Sequence, residues 1–447
     1  MYFLLTIMKT KLKLSVIGLG KLGICAAVCP AYKGYKVIGL DIDKKTVALV
    51  NKGKAPVIEP GLQVLLNKAK KNLRATQDSE KIIKESNVTF LIVPTPSKPD
   101  GHFSDKLLLS ALIPLSKSLR HKNSYHLFVI TSTVSPGTIE SSLIPLIEKY
   151  SGKILNKDFG ICYNPEFIAL GSVIHDTLNP DMVLIGESNK KAGDILEKFY
   201  KNLCDNKPYI ARMSIISAEI AKISLNAYIT MKISFANTLG NLCERISGAE
   251  VDKISKALGA DKRIAPSYLR AGLAYGGPCF PRDGRAFTAF AKKYFYDAKL
   301  VKATDAINKL QIELITKKVQ NIFKNSHSNT VSILGLSFKP DTPVIEESAA
   351  IFLIKELLKS KAEITVYDPL AIENTKRVFK NKIKYADSLK KCVGSSFIVI
   401  ITTPDKKFYK INKNNFTKKT IVIDCWRILE NKYLGENVTY EAIGKSK

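Results

Sequence analysis

No apolar run in this 447-residue chain approaches the ~18 residues a helix needs to cross a bilayer. A membrane-spanning protein is therefore excluded, and no membrane partner is expected. Cysteine is sparse: eight residues, at 25, 29, 162, 204, 243, 279, 392 and 425, form no C-x-x-C pair and have only five histidines beside them. That pattern argues against a disulfide framework and a structural zinc site, predicts no bound metal, and suits a reducing cytoplasm. The stretch Met1 to Met8 is too short for a secretory signal and has no basic leader, so the functional chain is expected to begin near Lys11. Dense Lys/Arg runs beside aromatics are lacking too. The formal charge of +29 is mostly lysine and is spread over the whole length. Such a spread reads as a solvated surface that favours an anionic small substrate, and no nucleic-acid partner is expected. The 45% hydrophobic and 24% charged content is that of a globular protein. Its length is about three times the ~150-residue prior for one domain.

Residues 12 to 17 read as a buried strand, followed at once by Gly18-Leu-Gly20-Lys-Leu-Gly23 and an Ala/Cys-rich helix. Further strands are predicted at Lys36–Leu40, Val88–Val93 and Leu127–Thr131, with helix-length segments between them. Strand alternating with helix predicts a parallel sheet. From about Ser214 to Ser247 a single long helix is expected, apolar on several sides, suited to joining domains and to a dimer contact. Beyond Asn329 the first region is echoed. Val331-Ser-Ile-Leu-Gly335 resembles the strand before Gly18, Ile364 to Asp368 resembles Val37 to Asp41, and Ser395 to Pro404 resembles Asn87 to Pro96. The expected fold is α/β: two Rossmann-like parallel-sheet domains joined by a long central helix and a helical dimerisation region.

In the glycine loop, Gly18 permits a tight turn, Gly20 lets backbone approach a pyrophosphate, and Gly23 lets the helix pack on the strand. Asp41, at the next strand's end, would accept hydrogen bonds from an adenosine ribose and repel an extra phosphate, favouring NAD over NADP. Cys279 lies in Tyr275-Gly-Gly-Pro-Cys-Phe-Pro-Arg-Asp283, a punctuated loop ill suited to routine core packing. Arg282 could lower its thiol pKa and Asp283 could act as a base. Lys222 and Asn226 share one face of the long helix, one turn after Glu219. They could stabilise an oxyanion or simply be a surface lysine and its neighbour. Asn164-Pro-Glu166-Phe and Ser132-Thr133 end apolar strands, where ligand-facing residues and plain turn formers both occur.

These motifs, together with Glu59-Pro-Gly61-Leu, Val93-Pro-Thr95-Pro96, Asn179-Pro-Asp181 and Gly335-Leu-Ser-Phe-Lys339-Pro, occur in the order found in the UDP-glucose/GDP-mannose dehydrogenase family, which the chain resembles over nearly its whole length. The resemblance implies an NAD-binding domain at 11–210, a central helical dimerisation domain at 211–310 and a UDP-sugar-binding domain at 325–447. It implies NAD-dependent oxidation of a nucleotide-sugar primary alcohol, twice, to the carboxylate. UDP-glucose to UDP-glucuronate, for polysaccharide precursors, is the leading substrate. UDP-N-acetylmannosamine, UDP-N-acetylglucosamine and GDP-mannose are the alternatives. Carried across, Cys279 captures the aldehyde and Asp283 handles protons, while Lys222 and Asn226 stabilise charge on oxygen. Glu166 and Thr133 position water and alcohol. Gly18, Gly20, Gly23, Asp41, Thr95 and Thr133 would face the cofactor. Glu166, Phe167, Lys222, Asn226, Gly276 and Lys339 would face the substrate, and Arg263 would reach a neighbouring subunit's site in a homodimer. Three positions depart from the family pattern: Leu170 where a second acid is common, Met182 for an arginine, and Glu346 for an arginine. A two-electron hydroxyacid dehydrogenase without a thiol, and a nucleic-acid-binding protein on the same scaffold, are the more remote readings.

Overall fold

The computed structural model describes residues 12–168 and 171–446. The expectation for the first ten residues and the departure at Leu170 lie outside the described residues. The chain divides into two units, Met1–Ile223 and Ser224–Lys447, and each is built on one sheet.

The first unit's sheet has eight strands: β1 (Lys13–Ile17), β2 (Lys36–Leu40), β3 (Leu73–Thr76), β4 (Val88–Leu91), β5 (His126–Ile130), β6 (Phe159–Tyr163), β7 (Met182–Glu187) and β8 (Tyr209–Ser214). Their order is β3-β2-β1-β4-β5-β6-β7-β8. β4, β5 and β6 are buried along their whole length, as expected of strands covered by helices on both faces. That is why they appear in the sequence as unbroken apolar runs. β4 stops two residues before the expected Val93. Pro94, which has no N–H, follows there and cannot extend the ladder. The sheet is parallel except for one pair: β6 and β7 run antiparallel, a departure from the uniformly parallel expectation. The helix Val173–Leu178 between them packs on the glycine-loop helix Gly23–Tyr32, burying Val173 and Leu178 in that core.

In the second unit β9 (Thr330–Leu334), β10 (Glu363–Tyr367), β11 (Lys384–Tyr385), β12 (Ile398–Ile401), β13 (Thr420–Asp424) and β14 (Val438–Ala442) form a parallel sheet ordered β11-β10-β9-β12-β13-β14. This repeats the order β3-β2-β1-β4-β5-β6, so the echo in sequence is an echo in topology. The turns match in detail. Gly18 N–H donates to Leu40 O at 2.8 Å, and Gly335 N–H donates to Tyr367 O at 2.9 Å. Leu19 N–H donates to Asp41 and Leu336 N–H to Asp368, both at 2.7 Å. The third pair of motifs is offset, however. Val16 pairs with Phe90 while Ile333 pairs with Ile400, so aligning Pro96 with Pro404 sets the repeats two residues out of register.

The long helix spans Ile215–Cys243, 29 residues, or about 44 Å at 1.5 Å per residue. It ends four residues before the expected Ser247, where the chain turns toward Gly248. Among the described residues no helix is long and apolar enough to cross a membrane, and no cluster of side chains could hold a metal ion.

Candidate functional site

In the first unit the strand order reverses between β1 and β4, which in open α/β sheets opens a ligand crevice at the strands' carboxyl ends. Gly18, at φ 87°, turns the chain there; a Cβ on it would collide with Ile92 O at the end of β4. A Cβ on Gly23 would strike Gly18 O, whereas one on Gly20 would meet nothing within 4 Å. Gly20 therefore faces open space beside the start of the Gly23–Tyr32 helix, which has no side-chain cap and no acidic residue in its first turn. Unblocked helix amides next to open space suit a diphosphate. Asp41 accepts from Leu19 N–H and, at 2.9 Å, from Asp43 N–H. Each carboxylate oxygen keeps a lone pair for a ribose hydroxyl. These residues fit NAD. The loops after β4 and β5 are stitched together: Thr95 Oγ1 donates to Thr133 O at 2.6 Å, and Ser132 Oγ accepts from Val93 N–H at 2.9 Å.

The end of β6 carries the Asn164-Pro-Glu166-Phe167 turn. Its asparagine is structural, donating to Leu184 O at 2.9 Å and accepting from Tyr200 OH at 2.5 Å. Lys222, buried on the long helix, donates to the backbone oxygen of Glu166 at 2.5 Å, and its ammonium stands 4.4 Å from the Phe167 ring centre. Burial pushes the Glu166 carboxyl up to about 7, with the Lys222 charge pulling down and Asp176 pushing up. Glu219, wholly buried one turn before Lys222, accepts from Gly137 N–H at 2.6 Å and Ile139 N–H at 3.2 Å. It holds the segment following Thr133, a role that no motif in the sequence marks. The available signal was an acid set between Ala218 and Ile220. Glu59, from another motif in the series, binds Val173 N–H at 2.9 Å and Gly171 N–H at 3.2 Å.

In the second unit Asp283 is wholly buried and accepts from Asn226 Nδ2 at 2.6 Å and from Arg282 Nε at 3.2 Å. It sits in the first turn of the helix Phe280–Lys293, its N–H bonded to Cys279 O at 2.8 Å. Cys279 is exposed at that helix's N-terminus, which has no side-chain cap. Cys279 thus lies at the positive end of that helix's dipole. The two glycines before it are required by close approach: a Cβ on Gly276 would collide with Glu347 O, and one on Gly277, at φ 85°, with the Phe338 ring. Gly277 N–H donates to the backbone oxygen of Glu346 at 3.0 Å, so the departure at Glu346 meets this loop through its main chain. Lys339 stands 5.8 Å from the Phe338 ring centre on the same segment. Arg263 pairs with Asp261 in its own exposed turn, at 2.6 Å, and is not brought to Cys279. Met182, a further departure, opens β7.

Three residues outside the sequence motifs hold the irregular segment leading to Cys279. Asn237 accepts from Gly272 N–H at 2.9 Å, and Asn308 both accepts from Tyr275 N–H and donates to Tyr275 O. Arg427, buried and at φ 58°, donates to Ala271 O at 2.7 Å and to both oxygens of Asp252. A lone arginine after a tryptophan has no pattern in sequence to mark it.

The sequence matches three domains of the UDP-glucose/GDP-mannose dehydrogenase family: the NAD binding domain over residues 12–204, the central domain over 216–310 and the UDP binding domain over 332–431. It is 35% identical to the UDP-glucose 6-dehydrogenase AglM of Haloferax volcanii, across 97% of this chain and 100% of that one. It is 32% identical to a GDP-mannose 6-dehydrogenase of Pseudomonas aeruginosa, across 92% and 96%. Among solved structures, a UDP-glucose dehydrogenase from Pyrobaculum islandicum matches with TM-score 0.89 at 29% identity, over 98% of each chain.

Proposed function

This chain belongs to the UDP-glucose/GDP-mannose dehydrogenase family of NAD-dependent oxidoreductases, and from that membership we propose that it oxidises the primary alcohol of UDP-glucose to the carboxylate of UDP-glucuronate. The carrying observation is an exposed Cys279 at a helix N-terminus, one turn from a buried Asp283 fixed by Asn226. NAD, when bound, accepts one hydride in each of the two oxidations.

A hydroxyl proton leaves as the first hydride does, giving the aldehyde. The Cys279 thiolate adds to that carbonyl carbon, and the resulting oxygen takes a proton to give a thiohemiacetal. The aldehyde is thereby retained and its carbon still bears a hydride to lose. Loss of that hydride and the hydroxyl proton leaves a thioester. Water then adds and the carbon–sulfur bond breaks, returning the thiolate and releasing the acid. Asp283 moves protons at the sulfur end. The Lys222 ammonium and Asn226 amide stabilise negative oxygen. Glu166, with its pKa near neutrality, takes the proton of the attacking water, and Thr133 orients the alcohol. Phe167, Gly276 and Lys339 bind the nucleotide sugar.

The division of labour proposed is NAD at 11–210, subunit contact at 211–310 and the UDP-sugar at 325–447. A homodimer, with Arg263 reaching the neighbouring site, is supported by exposed Tyr228, Phe235 and Leu242, which recur every seventh residue along the long helix. A cytoplasmic location is part of this reading, since the reaction draws on NAD.

The test is NADH yield from limiting UDP-glucose, UDP-N-acetylmannosamine, UDP-N-acetylglucosamine and GDP-mannose, each alone. Two NADH per UDP-glucose, with little from the rest, is expected. Two from another sugar overturns the substrate and keeps the chemistry; one or none from all four overturns both.

A further inference from the structure

The helix that begins at Cys279 ends in a run of six exposed residues, Lys292 to Asp297. Three are aromatic: Tyr294 is 59% exposed, Phe295 101% and Tyr296 70%, with Leu300 at 63% just beyond. The turn closing the helix is well formed. Phe295 N–H donates to Lys292 O and Tyr296 N–H to Ala291 O, both at 3.0 Å. This pattern places one residue in the left-handed region, a position normally held by glycine. Here that residue is Phe295, at φ 56°. A bulky side chain in that conformation is strained, and a fully exposed ring makes no packing contact that offsets the strain. A bulky, solvent-exposed ring held at a backbone conformation that disfavours it marks this tip as a candidate contact.

The surrounding charge indicates the kind of partner. Lys292, Lys293 and Lys299 flank the rings and are exposed, while the one acid in the run, Asp297, is paired with Lys302. We propose that this tip docks on an anionic lipid surface. Phe295 enters the headgroup boundary, Tyr294 and Tyr296 lie with their hydroxyls toward water, and the three lysines meet lipid phosphates. A second copy of the chain is a poorer occupant of this tip, because it would set the same three lysines against each other. Docking here needs no spanning helix, consistent with the lack of one among the described residues. Fourteen helical residues separate the tip from Cys279, about 21 Å along the axis, so the rings stand clear of the chemistry. The inference does not depend on which sugar is oxidised.

The test is co-sedimentation of the full chain with vesicles of phosphatidylcholine alone, and of phosphatidylcholine with one-third phosphatidylglycerol, at physiological salt. The wild type is expected to bind the anionic vesicles and to leave the neutral ones. Phe295→Gly suits the backbone, so it is expected to fold with an unchanged or higher Tm, to keep its NADH yield, and to bind about tenfold more weakly. Phe295→Asn, which also tolerates this backbone, is the second variant. Wild-type binding by both variants would mean that general charge attracts the vesicles and would overturn the proposal, as would no binding by the wild type. A drop in oligomer mass in either variant, without vesicle binding by the wild type, would assign the tip to a second copy and overturn it as well.

Discussion

Asn226 Nδ2 donates to Asp283 Oδ2 at 2.6 Å, and both residues are buried. This bond separates two substitutions that look alike. Asp283→Asn keeps an oxygen to accept from Asn226 but cannot take a proton. Its unfolding free energy should stay within about 1 kcal/mol of wild type, while turnover falls about 10²- to 10⁴-fold. Asp283→Ala also leaves the Asn226 amide without that acceptor and should cost about 1–3 kcal/mol of stability. Thermal unfolding and NADH production on both variants check this. An Asp283→Asn enzyme working within a few-fold of wild type would remove Asp283 from proton transfer.

The eight thiols differ in reach. Cys279 is exposed, Cys204 is intermediate and the other six are buried. Burial pushes Cys25 and Cys392 up to about 12 and Cys204 up to about 11, each away from the reactive thiolate. Brief treatment of the native protein with iodoacetamide near pH 7.5 should therefore add one carbamidomethyl group per chain. Peptide mass spectrometry should place it at Cys279, and NADH production should fall in step. Modification spread over several cysteines, or full activity with Cys279 blocked, would contradict its role.

Some of this was legible in the sequence and some was not. The strand at Lys36–Leu40 could be read to the residue, because an apolar run bounded by turn formers leaves little choice. The glycine loop was readable because its backbone permits no other residue at Gly18 and Gly23. The burial of Lys222 has a local signal, since Ile220, Ala221 and Ile223 stand beside it in sequence. The antiparallel β6–β7 pair was not, since strand direction depends on where the intervening chain packs rather than on the strands themselves. Arg427 and Asn308 were silent for a related reason. Each acts on main-chain atoms that are far away in sequence, at Ala271 and Tyr275, and such pairings have no local period.

Glu219 should leave a mark on the pH dependence of stability. Burial raises its folded-state pKa to about 7 against two opposing backbone N–H bonds, whereas an unfolded glutamate titrates near ~4.3. Between those values the folded state binds the extra proton, so this group's contribution is fully present below the lower value and is lost as pH rises through 7. The loss is on the order of 3 kcal/mol. Glu166, also raised to about 7, acts in the same direction. Glu219→Gln should flatten the fall in stability between pH 4.5 and 7, by about one proton in denaturant-melt linkage. An unchanged slope would show that Glu219 stays ionised in the folded protein.

Arg427 gives the means to test whether the approach to Cys279 must be held rigid. Its guanidinium reaches Ala271 O, Ile443 O and both oxygens of Asp252, so one side chain ties the loop before Cys279 to the end of β14. Arg427→Lys keeps the charge but cannot span the fork of acceptors. With two buried carbonyls losing their donors, it should cost about 2–4 kcal/mol of stability. The informative reading comes below the shifted Tm, on protein that is still folded. If the tie positions Cys279, NADH yield per sugar should drop toward one as aldehyde escapes capture, and Cys279 alkylation should slow. If Arg427 serves stability alone, the yield stays at two and the alkylation rate is unchanged while only the melting temperature moves. Measuring yield and Tm on the same preparation separates positioning from support.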